Sequence, residues 1–108
     1  MILKGTTASI GTCTGKVRVV NNPALIKNFK DGDILVAAMT NPDYVPFMRR
    51  AAAVITANGG VLCHAAIVSR EMKVPCIVAV KGVLDYLSTG MLVTVKAEAG
   101  SGTIEWSE

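Results

Sequence analysis

At 108 residues the chain suits one domain, spanning 1–108, and is short for two. Hydrophobic residues make up 51% of it and aromatics only 5%, so an aliphatic core is available and a disordered chain is excluded. The net charge of +3 is scattered, with Arg49-Arg50 the only adjacent basic pair, which leaves neither the basic stripe nor the stacking aromatics that nucleic-acid binding needs but suits an anionic ligand or partner.

The opening segment "GTTASIGTCTGKVRVV" is rich in Gly, Thr and Ser and closes on "KVRVV", where Val17 and Val19 alternate in strand fashion. "NNP" at 21–23 is a turn. "ALIKNF" at 24–29 reads as a short helix, ended by the turn residues "KDGD". "ILVAAM" is a buried strand. "TNPDYVPFMRRA" is a loop entering a helical turn, with Thr40 or Asn41 as its cap and Pro42 at an early helical position. "AAVIT" at 52–56 is a second buried strand, broken by Gly59-Gly60. "HAAIVSREM" is a helix of about two and a half turns. Val74, before Pro75, is pushed toward extended geometry, and "CIVAV" at 76–80 is again a strand. "VLDYLS" is a helical turn stopped by Gly90, and "MLVTVKA" and "GTIEWS" are final strands joined at 100–102. The result is a mixed α/β domain of many strands and few short helices. Its segment 52–80 runs strand–loop–helix–strand, a right-handed connection if both strands are parallel.

Three cysteines, Cys13, Cys63 and Cys76, make no disulfide framework. "ILKGTTASIG" is too short and polar for a signal-peptide core, and no apolar run approaches a membrane span. These features lead to an expectation of a cytoplasmic protein without a membrane partner.

The only histidine, His64, stands where the Gly-Gly loop meets the helix. The first N–H groups of a helix lack internal partners and carry the positive end of its dipole. Such an end receives anions, and preceding glycines let an anion approach the backbone. It also disfavours a cationic ring, leaving a neutral imidazole with a nucleophilic nitrogen. One arrangement would thus activate a nucleophile and hold a phosphoryl group placed on it. From the local pattern alone, a core histidine or an end cap stays an equal alternative.

"GGVLCHAAIVSREMKVPCIV" resembles the phosphohistidine signature of the phosphoenolpyruvate-utilising enzymes, with Gly59, Gly60, His64, Ala65, Ala66, Ile67, Val68, Ser69 and Arg70 fitting the pattern and "VPCIV" the strand after it. "GDILVAAMTNPDYVPFMRRAAAVIT", "ASIGTCTGKVRVV" and "EAGSGTIEW" extend the likeness over nearly the whole chain, and Cys63 favours the synthase branch. The resemblance implies a swivelling β/β/α domain with His64 as the catalytic, phosphorylated residue. It implies phosphate binding by Gly59, Gly60, Ala65, Ala66 and Arg70, and no metal or cofactor on this domain. Magnesium and ATP belong to partner domains or subunits: an ATP-binding donor and a barrel that binds pyruvate or phosphoenolpyruvate. Leu62 replaces the family's usual Thr, so a regulatory phosphorylation there is not expected, and Ala57 stands where an acidic or amide residue is common. The chain has no segment for the two missing sites, so it reads as the carrier alone, and Met1 favours an independent protein over an excised domain.

Blander and rival readings accompany these. Arg70 could equally serve a local salt bridge or the helix's C-terminal carbonyls. Glu71 reads as solvated, Thr56 as a support for the loop, and Met39, Met48, Met72 and Met91 as core filler. Cys63 reads as a small, poor helix cap, with a reactive thiolate as the alternative. Asp43 and Tyr44 could shape a docking surface. A zinc site from Cys13, Cys63, His64 and Cys76 has the ligand count but not the spacing. The rival function is a non-catalytic regulatory or protein-binding module that keeps the fold.

Overall fold

A computed structural model describes residues 1–107. Seven strands, β1 (Ile2–Ser9), β2 (Gly11–Val19), β3 (Ile34–Ala37), β4 (Ala53–Thr56), β5 (Cys76–Val78), β6 (Leu92–Ala97) and β7 (Gly102–Glu105), close into a barrel. Their order is β1-β5-β4-β3-β2-β6-β7, with β7 pairing back onto β1. β2, β3, β4 and β5 run parallel, while β6 and β7 pair antiparallel with each other and with β2 and β1 respectively. Three helices decorate the barrel: α1 (Val45–Met48), α2 (His64–Met72) and α3 (Val83–Tyr86).

The two halves of the barrel bury their strands differently. β3, β4 and β5 are apolar at nearly every position and are buried on both faces. Ile34, Val36, Ala53, Ile55 and Ile77 fill the barrel with Val93, Val95 and Ile104, whereas Leu35, Val54, Cys76 and Val78 meet Ala65, Ala66 and Met48 outside it. β6 alternates, with Val93, Val95 and Ala97 buried and Leu92 exposed, because its outer face meets water. Each fully buried Val, Leu or Ile contributes roughly 1.5–3 kcal/mol, so the two clusters hold the helix and barrel together.

α2 forms because Ala65, Ala66 and Ser69 make a small buried stripe, flanked by half-buried Val68 and Met72, with Arg70 and Glu71 outside. It ends at Lys73, in the left-handed region at φ 58°, and Val74 N–H donates to Ser69 O at 3.0 Å. Pro75 then leads into β5, parallel to β4 as the strand–loop–helix–strand reading requires.

The expected β/β/α fold is present, with local corrections. The Gly- and Thr-rich opening, read as strand only at its close from Lys16, supplies the two longest strands. The helix expected over 24–29 is a single 3-10 turn, Pro23–Leu25, capped by Asn22. Beyond it Asn28 turns left-handed at φ 63° and gives its carbonyl to Arg18 at 2.9 Å, while Phe29 is buried against Phe47. Asn41, not Thr40, caps the next turn through Asp43 N–H at 2.9 Å. β5 stops at Val78 because Ala79 is left-handed at φ 55°.

Candidate functional site

Ala37 and Thr56 pair as the last residues of the parallel strands β3 and β4, so the chain leaves both strands at the same barrel rim. Crevices beyond the carboxyl ends of parallel strands are the usual ligand sites of such sheets. The loop after β4 is tied down at its start. Ala57 and Asn58 N–H donate to Ala37 and Ala38 O at 3.0 Å each, and buried Thr56 Oγ1 donates to Asn58 O at 2.6 Å. Gly59 follows at φ 117°, where a Cβ would also fall 2.8 Å from Cys63 Sγ. Backbone conformation and packing both demand glycine there. Cys63 N–H then donates to Gly60 O at 3.1 Å, closing the turn that delivers the chain to α2.

Cys63 is the N-cap residue by backbone, extended at φ −74°, and its carbonyl receives Ile67 N–H at 3.0 Å. The expectation that its side chain caps the helix is corrected: the thiol makes no capping bond and packs on Gly59 instead. The amides of His64, Ala65 and Ala66 therefore have no acceptor among the described residues.

His64 is the first residue of α2 and half-buried. Its Nδ1 lies 2.7 Å from Thr40 Oγ1, and Nε2 has no hydrogen-bond partner among the described residues. Thr40 is buried in the loop after β3, so that loop anchors the ring, and Gly59 and Cys63 border the same pocket. A pocket of about 230 Å³ opens there, lined by Met39, Thr40, Thr56, Gly59, Cys63 and Ala65 around the ring.

Among the residues singled out in the sequence, His64, Gly59 and Ala65 meet in this pocket. Gly60 sits in the turn beside it, and Ala66 contributes a free amide while its methyl is buried against the sheet. Arg70 stands elsewhere. Its Nη2 donates to Val61 O at 2.6 Å and its Nη1 to Ala8 O at 3.2 Å, so it braces the loop against β1. Thr40 was not singled out as a site residue; its exit position from a strand parallel to β4 was the available signal.

The cysteines do not form a ligand set. Cys13 Sγ donates to Ala52 O at 3.4 Å, and Cys76 is buried between β5 and α2. Burial pushes the Cys76 thiol up to about 11; the Ser69 hydroxyl and the Arg70 charge oppose that rise, and Cys63 adds to it. Ser69 Oγ does so without a hydrogen bond of ordinary geometry. Among the described residues, no three His, Cys, Asp or Glu side chains are grouped to hold a metal ion, and no helix is long and apolar enough to cross a membrane.

A closed barrel and a covering helix that begins at the histidine together define the swivelling β/β/α class. The chain belongs to the family of the PEP-utilising enzyme mobile domain, whose model matches residues 29–100. It is 50% identical, over 100% of its own length and 15% of the relative's, to a probable phosphoenolpyruvate synthase of Archaeoglobus fulgidus. It is 52% identical to the phosphoenolpyruvate synthase of Pyrococcus furiosus, over 93% of this chain and 12% of that one. The chain thus spans only a small part of the length of these relatives. In fold it is similar to the solution structure of Enzyme I (nEIt), with a TM-score of 0.59 and 23% identity over 76% of this chain and 35% of that one.

Proposed function

We propose that this chain is the phosphoryl carrier of a phosphoenolpyruvate synthase-type system, with His64 as the residue that is loaded and unloaded. The observation that carries the reading is the Thr40–His64 pair at 2.7 Å, set at the N-terminus of a nine-residue helix whose first amides are unpaired. In the tautomer that does this work, Nδ1–H donates to Thr40 Oγ1 and Nε2 keeps its lone pair. That pair attacks the phosphorus of the donor, the N–P bond forms, and the P–O bond to the leaving group breaks with its electrons on oxygen. In this reading the amide dipoles at the start of α2 hold the new phosphoryl oxygens, at no reorganisation cost. On delivery an acceptor oxygen attacks phosphorus, the N–P bond breaks, and its electrons return to Nε2.

In this reading partner domains or subunits hold ATP, magnesium, and pyruvate or phosphoenolpyruvate. This chain's own part is to orient the ring, fix the tautomer and supply uncharged donors. Gly59 and Gly60 keep the approach to the amides free of side chains.

The test is transfer of labelled phosphate from a partner synthase supplied with ATP or phosphoenolpyruvate. Acid-labile, base-stable label is expected on the wild type and not on His64→Ala. No label on the wild type, or equal label on the variant, defeats the carrier function.

A further inference from the structure

Among the described residues, four of the eleven exposed large apolar side chains come from the loop after β3, the loop before α2 and α2 itself. Met39 follows β3 and is 61% exposed; Val61 and Leu62 precede α2, and Leu62 is 80% exposed. Ile67 lies one turn along α2, on the same side of the helix as His64. The same stretches of chain carry no charge. No Lys, Arg, Asp or Glu occurs from 51 to 69 or from 34 to 42, in a chain where 18% of residues are charged. Arg70, next in sequence, has both terminal nitrogens bonded to carbonyls. Scattered exposed apolar residues are ordinary, but an uncharged cluster of them on the segments that flank a reactive group is an interaction surface.

We propose that Met39, Val61, Leu62 and Ile67 form a docking collar for one kind of partner: a protein surface whose cationic phosphate-binding pocket is itself ringed by neutral apolar side chains. This deepens the carrier reading and rests on it. The argument is charge complementarity. A phosphoryl group on a side chain brings up to about two negative charges. The amides at the start of α2 offset part of that, at most about half a unit charge at a helix end. Among the described residues no Lys or Arg lines the pocket that holds the ring, so the remaining positive charge has to come from across the interface. Apolar rims on both sides would exclude water, the competing acceptor of the phosphoryl group. Two copies of this chain would instead put anion against anion, so self-association does not satisfy the collar. The matched synthases are far longer than this chain, which makes up 15% and 12% of two of them, and so have ample protein to present such a surface.

The test compares wild type, Leu62→Glu, Ile67→Glu and the conservative Leu62→Met, each first shown to fold by circular dichroism. Two phosphoryl donors are used. Phosphoramidate is a small molecule that needs no docking surface. The other donor is the Archaeoglobus fulgidus synthase, with its own matching domain inactivated and ATP supplied. The expected result is equal phosphoramidate labelling of His64 in all four proteins, with synthase-dependent loading at least tenfold slower in both Glu variants and near wild type in Leu62→Met. Wild-type loading of the Glu variants overturns the proposal, also if Leu62→Glu at the same time dissociates a dimer, which would make the face a self-interface. Equal loss with both donors overturns it too, because the damage then lies in the site. A wild type labelled by phosphoramidate but not by the synthase overturns the proposed partner. A wild type labelled by neither defeats the carrier reading itself, so the two failures are distinct.

Discussion

A histidine ring with one nitrogen bonded and the other free has its chemistry assigned from the bonded side. Here that side is Thr40 Oγ1, 2.7 Å from His64 Nδ1; the threonine is buried and the ring half-buried, so the contact is partly shielded from water. A hydroxyl can donate or accept, and only its acceptance from Nδ1–H leaves Nε2 basic. Thr40→Val keeps the shape of the side chain and removes the oxygen. It is expected to slow phosphoryl uptake by about ten- to a hundredfold, the range found for losing a residue that orients a metal-bound imidazole. The cost in stability is about 1 kcal/mol, one ordinary hydrogen bond. Nitrogen-15 NMR of the ring checks the cause: wild type shows the proton on Nδ1 and the valine variant a mixture, while Thr40→Ser restores both tautomer and rate. Unchanged uptake in the valine variant would remove Thr40 from the mechanism.

Between residues and fold lies the loop from Ala57 to Cys63, which α2 carries on its own side chain. Arg70 reaches back to Val61 O at 2.6 Å and across to Ala8 O at 3.2 Å, so helix, loop and β1 move together. Bonds from a charged donor are stronger than neutral ones, though Arg70's exposure weakens them. Arg70→Ala is expected to open the loop by about 1–2 kcal/mol, which makes the Cys63 amide, bonded to Gly60 O, exchange roughly five- to thirtyfold faster. Arg70→Lys, with a single ammonium that cannot fork between two carbonyls, falls between. Exchange as slow as in wild type would mean that the loop is held by Thr56 and Gly59 alone. This element shows where sequence reasoning stopped. Gly59-Gly60, His64 and the helix α2 were legible, because a turn, a helical pattern and a unique residue type coincide there. Arg70's two carbonyl partners lie 9 and 62 positions away, and no local pattern encodes the second. Thr40 was read as a cap candidate for the same reason: its partner His64 is 24 residues distant. The segment 24–29 misled through helix propensity, which the burial of Phe29 overrides.

At the scale of the whole molecule, closure depends on the two longest strands, each of which changes partner midway. β1 pairs with β7 up to Gly5 and with β5 from Thr6; β2 pairs with β6 up to Lys16 and with β3 from Val17. A glycine stands at or next to each switch. A Cβ on Gly5 would lie 2.6 Å from Val80 Cγ2 and 2.8 Å from Val78 O; one on Gly15 would lie 2.6 Å from Gly32 O. Neither has a left-handed backbone, so space alone requires glycine, as it does where a barrel turns a corner. This is why the opening segment did not read as strand: residues that strands normally avoid are here the ones that let a strand bend. Gly5→Ala and Gly15→Ala are each expected to destabilise the fold by about 1–3 kcal/mol through overpacking. In a domain of this size that lowers the melting temperature by roughly 4–8 °C per kcal/mol. Gly60→Ala is the control, since its Cβ would have nothing within 4 Å and its φ is not positive, so its melting temperature should stay near wild type. Calorimetry of the three variants decides the matter, because equal melting temperatures across them would mean that the barrel corners tolerate a methyl group and that closure is set elsewhere.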